Sequence, residues 1–174
     1  MKVSALVVAG LLLFPLSNAS AQEINDAQIA SIVVTANQVD INAGKLAKSR
    51  STNDEVKAFA ELMITDHASV NKSASDLVAK VKVSPQNNPT SQSLKAGGEK
   101  NLAHLKTLKG AAFDKAYVGH EVAYHQQVID ALDKILIPGA SNGELKALLI
   151  KVRPAFVAHL EHAKRLQMST SKEG

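Results

Sequence analysis

Apolar residues recur at helical spacing along four long segments of the chain. From about Asp26 to Arg50 the stripe is Ile29, Ile32, Val33, Ala36, Val39, Ala43 and Leu46. A second stripe starts almost at once. Thr52-Asn53-Asp54-Glu55 has the form of a capping box, a hydroxyl followed three residues later by a carboxylate, and Val56, Phe59, Met63, Val70, Ala74 and Leu77 follow it. So short a connection predicts an antiparallel hairpin. The third segment runs from about Ala111 to Leu136 and stops at Pro138-Gly139. The fourth opens on a second capping box, Ser141-Asn142-Gly143-Glu144, and continues to about Met168. Pro154 lies inside it and is expected to kink it, because the carbonyl of Ile150 loses its donor.

Between the hairpins, VKVSPQNNPTSQS carries two prolines and two asparagines and reads as a loop. A weaker helical stretch follows, with Leu94, Leu102, Leu105 and Leu108, interrupted at Gly97-Gly98. No run alternates with period two for long enough to build strands. The expected fold is all-α: two antiparallel hairpins joined by a long connection carrying a short extra helix, the layout of a ferritin-like four-helix bundle. One domain spans residues 22–168, and residues 169–174 form a flexible tail.

Composition agrees with helix packing. Of 174 residues 45% are hydrophobic but only 3% aromatic, so the core is built from Ala, Leu, Val and Ile. The first residues, MKVSALVVAGLLLFPLSNASA, have one basic residue, a short apolar stretch and a small-residue cleavage pattern. That is a secretory signal peptide over residues 1–21, which places the mature chain in the periplasm of a Gram-negative bacterium. Once it is removed, nothing is expected to insert into a membrane; peripheral association with the envelope is the most the sequence suggests. The chain has no cysteine, hence no disulfide and no thiolate metal site. Without Lys2, 19 basic residues face 16 acidic ones, a net charge of +3. The basic residues are scattered and lack interleaved aromatics, so nucleic acid is not an expected partner.

Candidate chemistry lies in the polar residues that interrupt the apolar stripes. In GHEVAYHQQ (residues 119–127), Glu121 falls close to the centre of the buried face and His125 about 40° to one side. His120 lies roughly 100° away and should be exposed. On the second helix Asp66 and His67 flank the stripe on opposite sides. On the fourth His159 shares the apolar face, and on the first Asp40 sits at its edge. Counting outward from each hairpin turn puts these groups within about one helical turn of a common depth. Two readings stay open. One is a hydrogen-bonded polar layer that fixes helix register. The other is a divalent metal site (Zn, Fe, Mn or Cu) built from His67, His125 and His159 with carboxylate from Glu121, Asp40 or Asp66. Neither names a catalytic residue.

The segments ANQVDINAGKLA (36–47), VKAFAELMITDHASVN (56–71), FDKAYVGHEVAYH (113–125) and HLEHAKRL (159–166) resemble an exported bacterial family, domain-of-unknown-function family 4142. The likeness covers nearly the whole mature chain. It implies a ferritin-like four-helix fold, and Asp40, Asp66, His67, His125 and His159 stand at its polar motif positions, with Asp40 where Glu is common. Members are often labelled outer-membrane proteins, but nothing here has the alternating segments of a transmembrane barrel. The di-iron pattern of ferritin-like enzymes needs inward Glu-x-x-His on two helices, which this chain lacks. The expectation is a non-enzymatic exported bundle whose polar layer is capable of holding a divalent metal. The alternatives are a metal-dependent oxidase, and a ligand-free structural or partner-binding bundle.

Overall fold

The computed structural model describes residues 24–172, whose regular elements are all helices, with no strand among them. The secretory signal read at residues 1–21 lies outside this range. The long helices are α1 (Asp26–Arg50), α2 (Asp54–Lys80), α3 (Pro89–Thr107), α4 (Gly110–Ala131) and α6 (Gly143–Lys172). A π-helical stretch, Leu132–Leu136, and the single turn α5 (Ile137–Gly139) continue α4 to the second hairpin turn.

Local chemistry sets the helix ends. Asn25 and Gln28 form a reciprocal capping box at the start of α1. At the next two starts expected from the sequence, asparagine takes the place assigned to the hydroxyl. Asn53 Oδ1 accepts from the amides of Glu55 and Val56, and Asn142 Oδ1 from those of Glu144 and Leu145. Thr52 and Ser141 therefore precede the caps instead of forming them. The π turn sits ahead of Pro138, which has no N–H to close onto the carbonyl of Lys134. The backbone winds wider there, and the Ile137 amide bonds back to Leu132. Pro154 lies inside α6 as its sequence position requires. That helix continues past Met168 to Lys172, and Thr170 is buried.

Helix α1 packs against α2 and α4, and α6 packs against the same two. The two hairpins thus close around a shared interior. Helix α3 corrects the sequence reading: at 19 residues it is neither short nor broken at Gly97-Gly98. A Cβ on Gly98 would stand 2.8 Å from both methyls of Val39, so this glycine lets α3 lie directly on α1. Asn88 Nδ2 bonds the Gln28 carbonyl at one end of that contact (3.1 Å), and Arg50 Nη1 bonds the Lys106 carbonyl at the other (2.7 Å).

The core has two apolar halves. One, at the end of the α1–α2 turn, contains Ala43, Ala47, Val56, Phe59, Met63, Phe113, Tyr117 and Leu166. The other, at the end of the α5–α6 turn, contains Ile29, Ile32, Val33, Leu132, Leu136, Leu145, Leu149 and Phe156. Between them, at the middle of each enclosing helix, lies a buried polar layer. No described helix is long and apolar enough to cross a membrane.

Candidate metal centre

Each of the four enclosing helices sends polar side chains into this layer: Asp40 from α1, His67 from α2, Glu121 and His125 from α4, and His159 from α6. All five residues are buried. The three imidazoles form a nearly equilateral triangle, with ring centroids 5.5 Å apart for His67–His125 and 5.4 Å for each ring to His159. Each offers one ring nitrogen within 4.8 Å of the other two, and a second group of the same compactness comprises Asp40, Glu121 and His125.

The outer nitrogen of every ring is already committed. His125 Nδ1 lies 3.0 Å from the backbone carbonyl of Glu121, which can only accept, so that nitrogen carries the proton. His159 Nε2 donates to Asp66 Oδ2 at 2.8 Å. His67 Nδ1 is 2.7 Å from Asn37 Oδ1. The same carboxamide uses its Nδ2 to donate to Asn71 Oδ1 at 3.0 Å, which leaves Oδ1 as the acceptor for the histidine. The remaining nitrogens, His67 Nε2, His125 Nε2 and His159 Nδ1, have no hydrogen-bond partner. In neutral imidazoles they are lone pairs, and they are buried together.

The carboxylates meet them without satisfying them. Asp40 Oδ2 stands 3.0 Å from His67 Nε2 and 3.5 Å from His125 Nε2. The first separation is that of a hydrogen bond, but the alignment is not, and neither Asp40 oxygen has a hydrogen-bond partner. Both Glu121 oxygens are in the same position, with Oε2 3.5 Å from His125 Nδ1. Two lone-pair atoms held 3 Å apart in a dry interior need a proton or a cation between them.

Electrostatics divides the two acids. Burial alone would raise the pKa of Asp40, but His67, His125 and His159 around it hold its carboxyl below the usual value. Glu121 is pushed well above its usual value, first by burial and then by the charge of Asp40. Burial lowers His125 to about 4, against the pull of Asp40. His159 is also lowered by burial, with Asp66 opposing. Free of any ion, the layer favours a charged Asp40, a protonated Glu121 and neutral rings at His125 and His159.

Five of the six site residues expected from the sequence therefore converge. Asp66 does not: its side chain is 39% exposed and it meets His159 from the solvent side. His120 is half-buried and stacks on Tyr124, His162 packs edge-on against Phe59, and His104 is exposed. Asn37, which orients His67, escaped the sequence reading. Its signal was its place three residues before Asp40, on the same face of α1.

No curated protein and no solved structure gives a significant match to the chain. A family model described as "Domain of unknown function (DUF4142)" matches residues 14–166. The match takes in the polar-layer residues of all four enclosing helices and agrees with the resemblance carried by their motifs; the chain belongs to the DUF4142 family.

Proposed function

We propose that this protein is an exported helical bundle that holds one divalent transition-metal ion, with His67, His125, His159 and Asp40 as ligands. The observation that carries the reading is the division of labour on the three rings. Every outward nitrogen has an acceptor and every inward one has none. Metal-bound histidine has this arrangement, with the second nitrogen fixed by a carboxylate, carbonyl or similar acceptor that sets tautomer and orientation. Asn37, the Glu121 carbonyl and Asp66 are the three orienting groups. Asp66 thus leaves the ligand set in which the sequence placed it and joins the outer one.

Distances support the same reading. Ligands about 2.0–2.1 Å from a tetrahedral ion stand about 3.3 Å from one another. The separations of Asp40 Oδ2 from His67 Nε2 and His125 Nε2, 3.0 and 3.5 Å, bracket that value. Three imidazoles with one carboxylate suit Zn²⁺ or Cu²⁺ better than the all-oxygen preferences of Ca²⁺ or Mg²⁺. Four protein ligands would complete a tetrahedron, as in holding sites, whereas catalytic zinc keeps an open position. The reading is accordingly of a metal carrier or a metal-stabilised envelope protein of ferritin-like build, and not of an oxidase. Export rests on the N-terminal signal pattern alone.

The test is metal content after chelation and reloading. Zn²⁺ or Cu²⁺ should bind at one per chain and raise the unfolding free energy, by about 4 kcal/mol at a thousandfold excess over Kd. Co²⁺ in its place should give the intense visible bands of a tetrahedral ion. His125→Ala and His159→Ala should each abolish stoichiometric binding, and Asp66→Asn should only weaken it, by roughly tenfold to a hundredfold. Binding that survives both histidine substitutions would end the proposal.

A further inference from the structure

The apolar half of the core beside the α5–α6 turn is not filled. A cleft of about 100 Å³ opens between α1, α3 and α4, and its floor is Leu149, Val152 and Phe156 of α6. Its walls include Ile32, Val33, Leu132 and Leu136, the last two belonging to the π stretch. Two of the polar side chains that reach its deep walls are already bonded elsewhere. Asn37 is shared between His67 and Asn71, and the Tyr124 hydroxyl donates to the carbonyl of Ala36 at 2.9 Å. Thr90 and Gln127, the other polar residues of the lining, are exposed and mark the mouth.

We infer that this cleft is a binding site for one small, uncharged, apolar molecule about the size of a benzene ring, and that its occupancy is felt at the histidine cluster through Phe156. Deep walls with no spare hydrogen-bonding group do not hold water well; cavities of about 150 Å³ lined by Leu, Ile and Phe stay dry and take up benzene or xenon. The volume is too small for a lipid chain or a nucleotide, and the committed wall groups offer nothing to a charged ligand. Phe156 forms the partition. Its ring centroid is 5.1 Å from that of His67, 6.3 Å from that of His125 and 6.2 Å from that of His159. A molecule seated in the cleft therefore lies one ring away from the imidazoles, and Asn37 couples the same wall to His67. The inference concerns metal-free and metal-loaded protein alike and does not depend on the ion.

Benzene and xenon are the probes. In methyl-labelled protein each should shift the signals of Leu132, Leu149 and Val128 along a saturating curve. The ring signals of His67 and His125 should follow with the same midpoint. Ala131→Phe, which places a ring in the cleft from α4, should weaken benzene binding by roughly tenfold or more. Ala36→Leu repeats the test from α1 should the first variant fold poorly. The inference is overturned if wild-type protein shows no saturable shift, or if both filled variants bind benzene as the wild type does. A histidine response with a different midpoint would break the coupling. Preference for decanoate over benzene would make the cleft a chain slot and overturn the stated ligand class.

Discussion

The two apolar halves on either side of the polar layer are built on different plans. At the α1–α2 end, small residues on α1 (Ala43, Gly44, Ala47) bring α2 close, and Phe59, Phe113 and Tyr117 fill the interior. A Cβ on Gly44 would lie 3.0 Å from the Ala60 carbonyl oxygen, which is how near the two backbones run. At the α5–α6 end the residues are mostly branched aliphatics with one aromatic, Phe156, the backbone passes through a π turn, and the cleft remains. The polar layer thus has a stiff floor and a ceiling with room in it. Phe156 closes the loose side off from the imidazoles, its ring centroid 5.1 Å from that of His67.

Truncation of the core gives the largest contrast. Phe59→Ala should cost about 3–5 kcal/mol of stability in urea unfolding, and Leu132→Ala, whose void merges with the existing cleft, nearer 2 kcal/mol. The opposite order would erase the distinction between the halves.

Acid titration of metal-free protein comes next. His125 and His159 have folded pKa values below their unfolded ones, so the unfolded chain binds the extra protons and stability falls as pH drops. For His125 the loss runs from 6.5 down to about 4 and is on the order of 3 kcal/mol. Asp40, also lowered, acts in the same direction at more acidic pH. Glu121 works the other way. Its raised folded value means that stability is lost as pH rises above 4.5. Glu121→Gln should therefore gain stability relative to wild type at pH 8 more than at pH 5, as measured by thermal or urea midpoints.

Glycine substitutions sharpen the contrast further. Gly44→Ala should cost about 1–3 kcal/mol through overpacking. Gly97→Ala, with nothing near its added Cβ, should be neutral or stabilise α3 by up to about 1 kcal/mol. The smallest effects belong to the caps. Asn53→Ala and Asn142→Ala should each cost about 1 kcal/mol, and Thr52→Ala and Ser141→Ala close to nothing.

Periodicity made the four enclosing helices legible, since each apolar stripe reports which face of its own helix is buried. Adding the axial rise even put Asp40, His67, Glu121, His125 and His159 at one depth. What a stripe does not report is which neighbour covers it. Gly97-Gly98 therefore read as a break, because the reason for Gly98 is Val39, nearly sixty residues away in the chain. Asp66 read as a ligand because a residue about 50° off the stripe can turn either inward or outward. The caps were displaced by one residue because a hydroxyl and an asparagine stand side by side, and either side chain can do the work. The cleft was invisible, since it is a gap between helices and no residue type announces one.

The three acceptors that hold the outer nitrogens differ in their exposure, and so the rings should keep different time in heavy water. Asp66 stands at the surface, and the proton on His159 can leave through it without any helix moving. The corresponding protons on His67 and His125 are walled in by Asn37 and by main chain, and they wait for the fold to breathe. Deuterium uptake should then begin at His159 and reach the other two rings later, so the layer has a single door.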